Sequence, residues 1–162
     1  MIKHESKAAL EFIPNNIGRI ELTLSIQKAN KINMEDIDFA LDTGSDFTTI
    51  GIKHLIQLGY TKELLQNCPY HKNLATTVAT EHSIDLQYID NVTVLIDCIE
   101  LKNRRIYFSM DKNVKNLLGS DLLKYFNMEI NRDIGLVFLT LTKEISKQIE
   151  HGKKSDICYL ND

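Results

Sequence analysis

The chain is expected to be a mainly β protein of one domain with one or two short helices, and three stretches carry that expectation. From Arg19 onward, Ile20, Leu22, Leu24 and Ile26 alternate with Glu21, Thr23, Ser25 and Gln27, the period-two pattern of a strand with one buried face. Between Leu74 and Met110, β-branched and aromatic runs dominate: Thr76–Ala79, Ile84–Tyr88, Val92–Ile96 and Arg105–Phe108. Near the end, Leu136, Phe138 and Thr140 alternate with Val137, Leu139 and Leu141, which predicts a strand buried on both faces. A length of 162 residues suits one domain with its own core.

Taken in order, residues 1–18 mix charges with Pro14-Asn15-Asn16 and Gly18, the composition of an irregular arm. The strand from Arg19 follows, then a polar connection from Lys28 to Asp36, then a second strand from Ile37 to Asp42. In Gly51–Gly59 the residues Ile52, Leu55 and Ile56 share one helical face, and Gly59 suits a C-terminal cap. Thr61 is placed to cap a further turn through Leu64 and Leu65 before Pro69 stops it. Thr80-Glu81-His82-Ser83 is expected as the polar tip of a hairpin. Ser120 or Asp121 is expected to cap a short helix, Leu122–Phe126, that turns Leu122, Leu123 and Phe126 inward. Lys143–Asp162 is polar and predicts a frayed helix and tail. The organisation is thus an arm at 1–18, a domain at 19–141 and a tail at 142–162.

Composition narrows the function. Net charge is −3 and the pI is near 5.9, and both signs are interspersed except in His151-Gly152-Lys153-Lys154. With no basic face, a nucleic-acid partner is not expected. No apolar run approaches the roughly 18 residues of a membrane span, and Met1–Lys7 lacks an apolar signal core, so the expected location is the cytoplasm with no membrane partner. Cys68, Cys98 and Cys158 are odd in number and widely spaced, as reduced thiols are. Cys68 and His71 form a C-x-x-H, but no second pair completes a zinc site.

The chemistry is concentrated in Phe39-Ala40-Leu41-Asp42-Thr43-Gly44-Ser45. An apolar run delivers one carboxylate into a turn, where lost hydration must be replaced by hydrogen bonds or a shared charge. Gly44 permits close approach of backbone N–H groups, and the Thr43 hydroxyl can donate or accept. An ordinary Asp-Thr-Gly turn would have the same composition. Far downstream stands Asn116-Leu117-Leu118-Gly119-Ser120-Asp121-Leu122-Leu123, followed by Ile130-Asn131-Arg132-Asp133-Ile134-Gly135-Leu136-Val137. Together, in this order and over residues 19–141, these stretches resemble the retropepsin-like aspartic proteases. That family has an apolar-apolar-Asp-Thr/Ser-Gly-Ala/Ser loop and a later apolar-apolar-Gly segment that enters a short helix.

The resemblance implies an acid-protease barrel, or closed sheet, and an aspartic endopeptidase that hydrolyses peptide or protein substrates without metal or cofactor. The chain has one Asp-Thr-Gly; Asp133-Ile134-Gly135 puts an apolar side chain where the hydroxyl belongs. The second carboxylate must therefore come from another copy in a homodimer. Asp42 would be catalytic, with Thr43, Gly44 and Ser45 supporting the loop, Thr43 through a bond across the dimer. Gly44 and Asp46 would meet substrate backbone, as would Thr80, Glu81 and His82 from the flap, a β-ribbon that closes over peptide. One departure is Ser120, which stands where retroviral enzymes have an Arg that contacts the acidic residue at the Asp46 position. The other function considered is a non-catalytic dimeric module on the same fold that docks peptides.

Overall fold

The computed structural model describes residues 7–14, 18–29, 31–71, 75–77, 80–152 and 156–160, with 75–77 and 80–84 described by their backbone. The strands are β1 (Lys7–Glu11), β2 (Glu21–Gln27), β3 (Glu35–Leu41), β4 (Ala75–Thr77), β5 (Thr80–Ile84), β6 (Gln87–Ile96), β7 (Ile99–Phe108), β8 (Leu117–Leu118), β9 (Phe126–Asn131), β10 (Leu136–Leu141) and β11 (Ile157–Tyr159). The helices are α1 (Ile52–Gln57), α2 (Lys62–Gln66), α3 (Ser120–Leu123) and α4 (Lys143–Glu150). The protein is mainly β, with a curled sheet and a few short helices. No helix among the described residues is long and apolar enough to cross a membrane.

Six strands in the order β11-β7-β6-β2-β3-β8 form the main sheet, three in the order β1-β10-β9 form a second, and β4 pairs with β5. The alternation in β2 works as the sequence predicts: Leu22, Leu24 and Ile26 are buried while Glu21 and Thr23 are exposed. They pack with Ile37 and Phe39 of β3, Val94 and Ile96 of β6, and Val137 and Leu139 of β10 in one continuous apolar core. A pair of ten-residue strands, β6 and β7, replaces the two shorter strands expected there. Their pairing shifts register on either side of Val92. Asn91, Asp97 and Asn103 take positive φ of 62°, 51° and 55°, the residue types that best tolerate the left-handed region apart from glycine.

Several elements differ from expectation. Lys7–Glu11, assigned to an irregular arm, is a strand: Ala8 and Leu10 are buried, and the segment pairs antiparallel with β10. Lys143–Asp162 contains a helix, α4, and then β11, which pairs with β7 and buries Ile157. β10 buries one face only; Val137, Leu139 and Leu141 face the core, while Phe138 is half-exposed beneath the Lys7 ammonium, 4.1 Å from its ring centre. α3 starts from Gly119 with no side-chain cap and ends at Leu123, leaving Phe126 to open β9. Thr61 does cap α2, accepting from the Leu64 N–H at 3.2 Å.

The hairpin also shifts. Thr80–Ser83, expected at its tip, lie in β5, and the connection falls at Val78-Ala79, outside the described residues. The base of this hairpin is fixed by the buried Gln87 amide, whose Nε2 donates to the carbonyls of Leu65 and Cys68, each at 3.1 Å.

Candidate active site

Asp42 leaves the end of β3 between two neighbouring segments. The Leu41 N–H donates to the Ile20 carbonyl at 2.8 Å, and the Asp42 N–H donates to the Leu118 carbonyl at 3.0 Å. The chain then turns back on itself, with the Ser45 N–H reaching the Asp42 carbonyl at 3.2 Å. The half-buried Asp42 carboxylate accepts from the Gly44 N–H through Oδ1 at 3.1 Å. Gly44 does this without a positive φ. Ser45 braces the loop from inside, its Oγ donating to the Phe47 carbonyl at 2.7 Å.

Beneath the loop lies a lock that the sequence does not reveal. Thr48, which is buried, donates from its N–H to Asp121 Oδ2 at 3.0 Å and from Oγ1 to Asp121 Oδ1 at 2.6 Å. Its Oγ1 in turn accepts from the Gly119 N–H at 3.1 Å, and the Ser120 N–H donates to the Ser45 carbonyl at 2.8 Å. Thr49 and Leu117 exchange backbone bonds of 3.0 Å on the next step. This approach leaves no room at Gly119, where a Cβ would meet the Phe47 carbonyl group, 2.6 Å from its carbon, and the Ser45 oxygen at 2.9 Å. Burial pushes the Asp121 carboxyl above its ordinary value, and the bonds from Thr48 and the Leu122 N–H pull it part of the way back.

To one side of the loop, Phe47 meets Tyr107 at a tilt and His71 edge to face, with ring centres 4.5 and 4.8 Å apart. Tyr107 continues to Tyr88, which lies under the Arg105 guanidinium at 3.8 Å. Arg105 is held by both Asp90 oxygens, at 2.8 and 3.2 Å.

The residues singled out from sequence are thus placed as follows. Asp42, Thr43, Gly44, Ser45 and Asp46 lie together in one loop, with Thr43 and Asp46 exposed. Among the described residues Asp46 has no side-chain partner, and Ser120 supplies none. Thr80, Glu81 and His82 lie on β5, and their side chains fall outside the described residues. Asp121, considered only as a helix cap, is the loop's anchor; nothing local marks it, because Thr48 is 73 residues away. A groove of about 670 Å³ between the end of β1 and the outer face of β2 is lined by Glu11, Arg19, Glu21 and Asp38 and by none of Asp42–Thr48. Among the described residues no group of three or more His, Cys, Asp or Glu side chains forms a metal site.

No family model matches the sequence, and no curated protein matches it. The fold does have a counterpart: the crystal structure of a retropepsin-like aspartic protease from Rickettsia conorii superimposes with a TM-score of 0.56 at 20% identity. The match covers 84% of this chain and 91% of that one. In this chain the Asp-Thr-Gly loop at the end of β3 packs against Leu117-Leu118-Gly119, which enters α3. The chain has the retropepsin-like aspartic protease fold.

Proposed function

We propose that the protein is an aspartic endopeptidase that works as a homodimer, each copy supplying one Asp42. The observation that carries this reading is the Asp42 loop itself. Its carboxylate is positioned by the Gly44 N–H and its backbone is clamped from below through Thr48, Gly119 and Asp121. A turn serving only to reverse the chain has no need of such an anchor. One chain holds one such carboxylate, so the catalytic unit requires two chains. At about 3 Å two carboxylates cannot both ionise comfortably, and the pair shares one proton. The ionised member takes a proton from a water between them while the protonated member donates to the scissile carbonyl oxygen. The pair titrates as a unit and gives a bell-shaped pH–rate profile.

Gly44 and Asp46 would meet the backbone of an extended peptide, and the β4–β5 ribbon, with Thr80, Glu81 and His82, would cover it. Thr43, exposed at the loop's tip, is free to bond across the dimer. The three unpaired cysteines fit a reducing compartment such as the cytoplasm. Asp46, which has no side-chain partner among the described residues, favours a second reading, a dimeric module that docks peptides without cutting them. Mass-spectrometric detection of products from a diverse peptide pool separates the two. Wild type should cleave and Asp42→Asn should not, whereas binding without cleavage by both proteins over a broad pH range would establish the docking module. Equal cleavage by both would refute the aspartic mechanism.

A further inference from the structure

The last two elements tie the far end of α3 to the edge of the main sheet. Thr142 donates its N–H to the Tyr125 carbonyl at 3.0 Å, just beyond α3; α4 starts there, and β11 then lies along β7. What receives the tail is a bulge. Val92 of β6 pairs with Arg104 and Val94 with Leu101, so Lys102 and Asn103 together stand opposite Thr93, and Asn103 takes its φ of 55° there. A bulge re-aims the groups it carries, and here three donors converge on Asp156. The Lys102 N–H donates to its carbonyl at 2.6 Å, the Asn103 amide donates to Oδ1 at 2.9 Å, and the Arg104 guanidinium stands 3.6 Å from Oδ2.

Arg104, half-buried, joins this clasp to α3. Its Nη1 donates to the Tyr125 hydroxyl at 2.9 Å, and its guanidinium lies over the same ring, 5.4 Å from the centre. One cation thus touches both the tail and the end of α3. α3 is a single turn, closed by the Lys124 N–H on the Ser120 carbonyl and the Tyr125 N–H on the Leu122 carbonyl, with Leu122 and Leu123 buried. At its other end, Gly119 and Ser120 grip the Asp42 loop. A packed turn this short passes a shift at Tyr125 on to Gly119.

The attachment of the tail is slight. α4 buries no residue fully, and β11 buries Ile157 alone, with Cys158 and Tyr159 half-buried. Segments with so few buried contacts open locally, well short of global unfolding. We propose that α4 and β11 form a detachable strap, which docks through Asp156 on the β7 bulge and, when docked, holds α3 so that the Asp42 loop is set for cleavage. Release takes the Asp156 carboxylate from Arg104 and the Thr142 N–H from Tyr125, and the loop relaxes. Docked and released are the two states, and tail and loop bias the same equilibrium, so loosening at one end shows at the other. The cleavage so controlled is that of the proposed function, on which the inference rests to that extent.

The test uses the full chain with Cys68→Ser and Cys98→Ser as parent, so that Cys158 is its one thiol. Amide hydrogen exchange is followed by NMR, and peptide cleavage is assayed where circular dichroism shows every variant folded. Asp156→Ala should speed exchange at the Lys102 and Leu160 amides at least tenfold and at the Thr48, Gly119 and Ser120 amides at least threefold, and should cut cleavage at least threefold. Glu100→Cys then adds a lock, because Glu100 stands directly opposite Cys158, and such pairs lie about 4.5–5.5 Å apart at Cα, within disulfide reach. In Asp156→Ala carrying Glu100→Cys, oxidation should return loop exchange and cleavage to the parent's range, and reduction should undo the rescue. If Asp156→Ala leaves the Leu160 amide as protected as in the parent, Asp156 is not the clasp. If it frees that amide but not those of the loop, or if the oxidised lock leaves the loop exchanging as fast as the reduced form, the coupling is refuted. A parent that cleaves nothing would remove the protease reading, and exchange would still decide the strap.

Discussion

At the scale of single residues, the Asp42 loop owes its position to groups that carry no chemistry. Gly119→Ala would push a methyl into the Phe47 and Ser45 carbonyls, both backbone atoms that cannot step aside, and should cost about 3 kcal/mol, the upper end for an overpacked site. Thr48→Val keeps the shape and the backbone bond to Asp121 but removes the hydroxyl that donates to Asp121 Oδ1 and accepts from the Gly119 N–H, leaving that buried N–H without its acceptor; a loss of roughly 1–3 kcal/mol is expected in urea unfolding, with a fall in cleavage at temperatures where the protein remains folded. Tyr60 gives a test of a different kind. Burial, with help from the neighbouring Cys68, pushes its hydroxyl up to about 12, whereas in the unfolded chain it ionises near 10. The native state therefore binds more protons between those values, and stability is lost as pH rises from about 10 toward 12. Tyr60→Phe should flatten that alkaline decline in melting temperature; an unchanged slope would contradict the assignment. The turn at the end of β3 that holds Asp42 was legible in the sequence because an apolar run, an Asp and a Gly are adjacent in the chain. The lock was not, because Thr48 and Asp121 meet only through folding, and an Asp at the start of a helix has an ordinary explanation as a cap.

At the scale of elements, patterning was legible where burial is one-sided. β2, α1 and α2 stand where alternation or a helical stripe put them, and β10 stands in its expected place with one face buried where two were expected. The misses fall where local composition and tertiary role disagree. β1 is five residues with two lysine or glutamate ends, and only Ala8 and Leu10 betray a buried face; its partner is β10, at the far end of the chain. β11 is shorter still and pairs with β7. Propensity summed over three or five residues is too weak to announce such strands. Their contribution is measurable: Ile157 is buried at 4% exposure, so Ile157→Ala should cost about 2 kcal/mol, the low end for a buried Ile because an edge can relax. An unchanged urea midpoint would mean that β11 is not docked in solution.

At the scale of the whole molecule, the fold divides labour between two sheets. The six-stranded sheet delivers Asp42 and the base of the β4–β5 ribbon, while the three-stranded sheet leaves β9 exposed beside α3. The single Asp-Thr-Gly was countable from sequence, and the bare edge of β9 was not, because an edge strand is defined by what fails to pair with it. The central claim, that one active site is shared by two chains, is tested most directly by mixing. Wild type and Asp42→Asn are combined at fixed total concentration, allowed to exchange, and assayed for peptide cleavage. A shared dyad predicts activity falling as the square of the wild-type fraction, to about one quarter in an equimolar mixture, since dimers assemble at random and the mixed ones are inactive. Activity falling linearly, to about one half, would contradict it, because each chain would then be cutting alone.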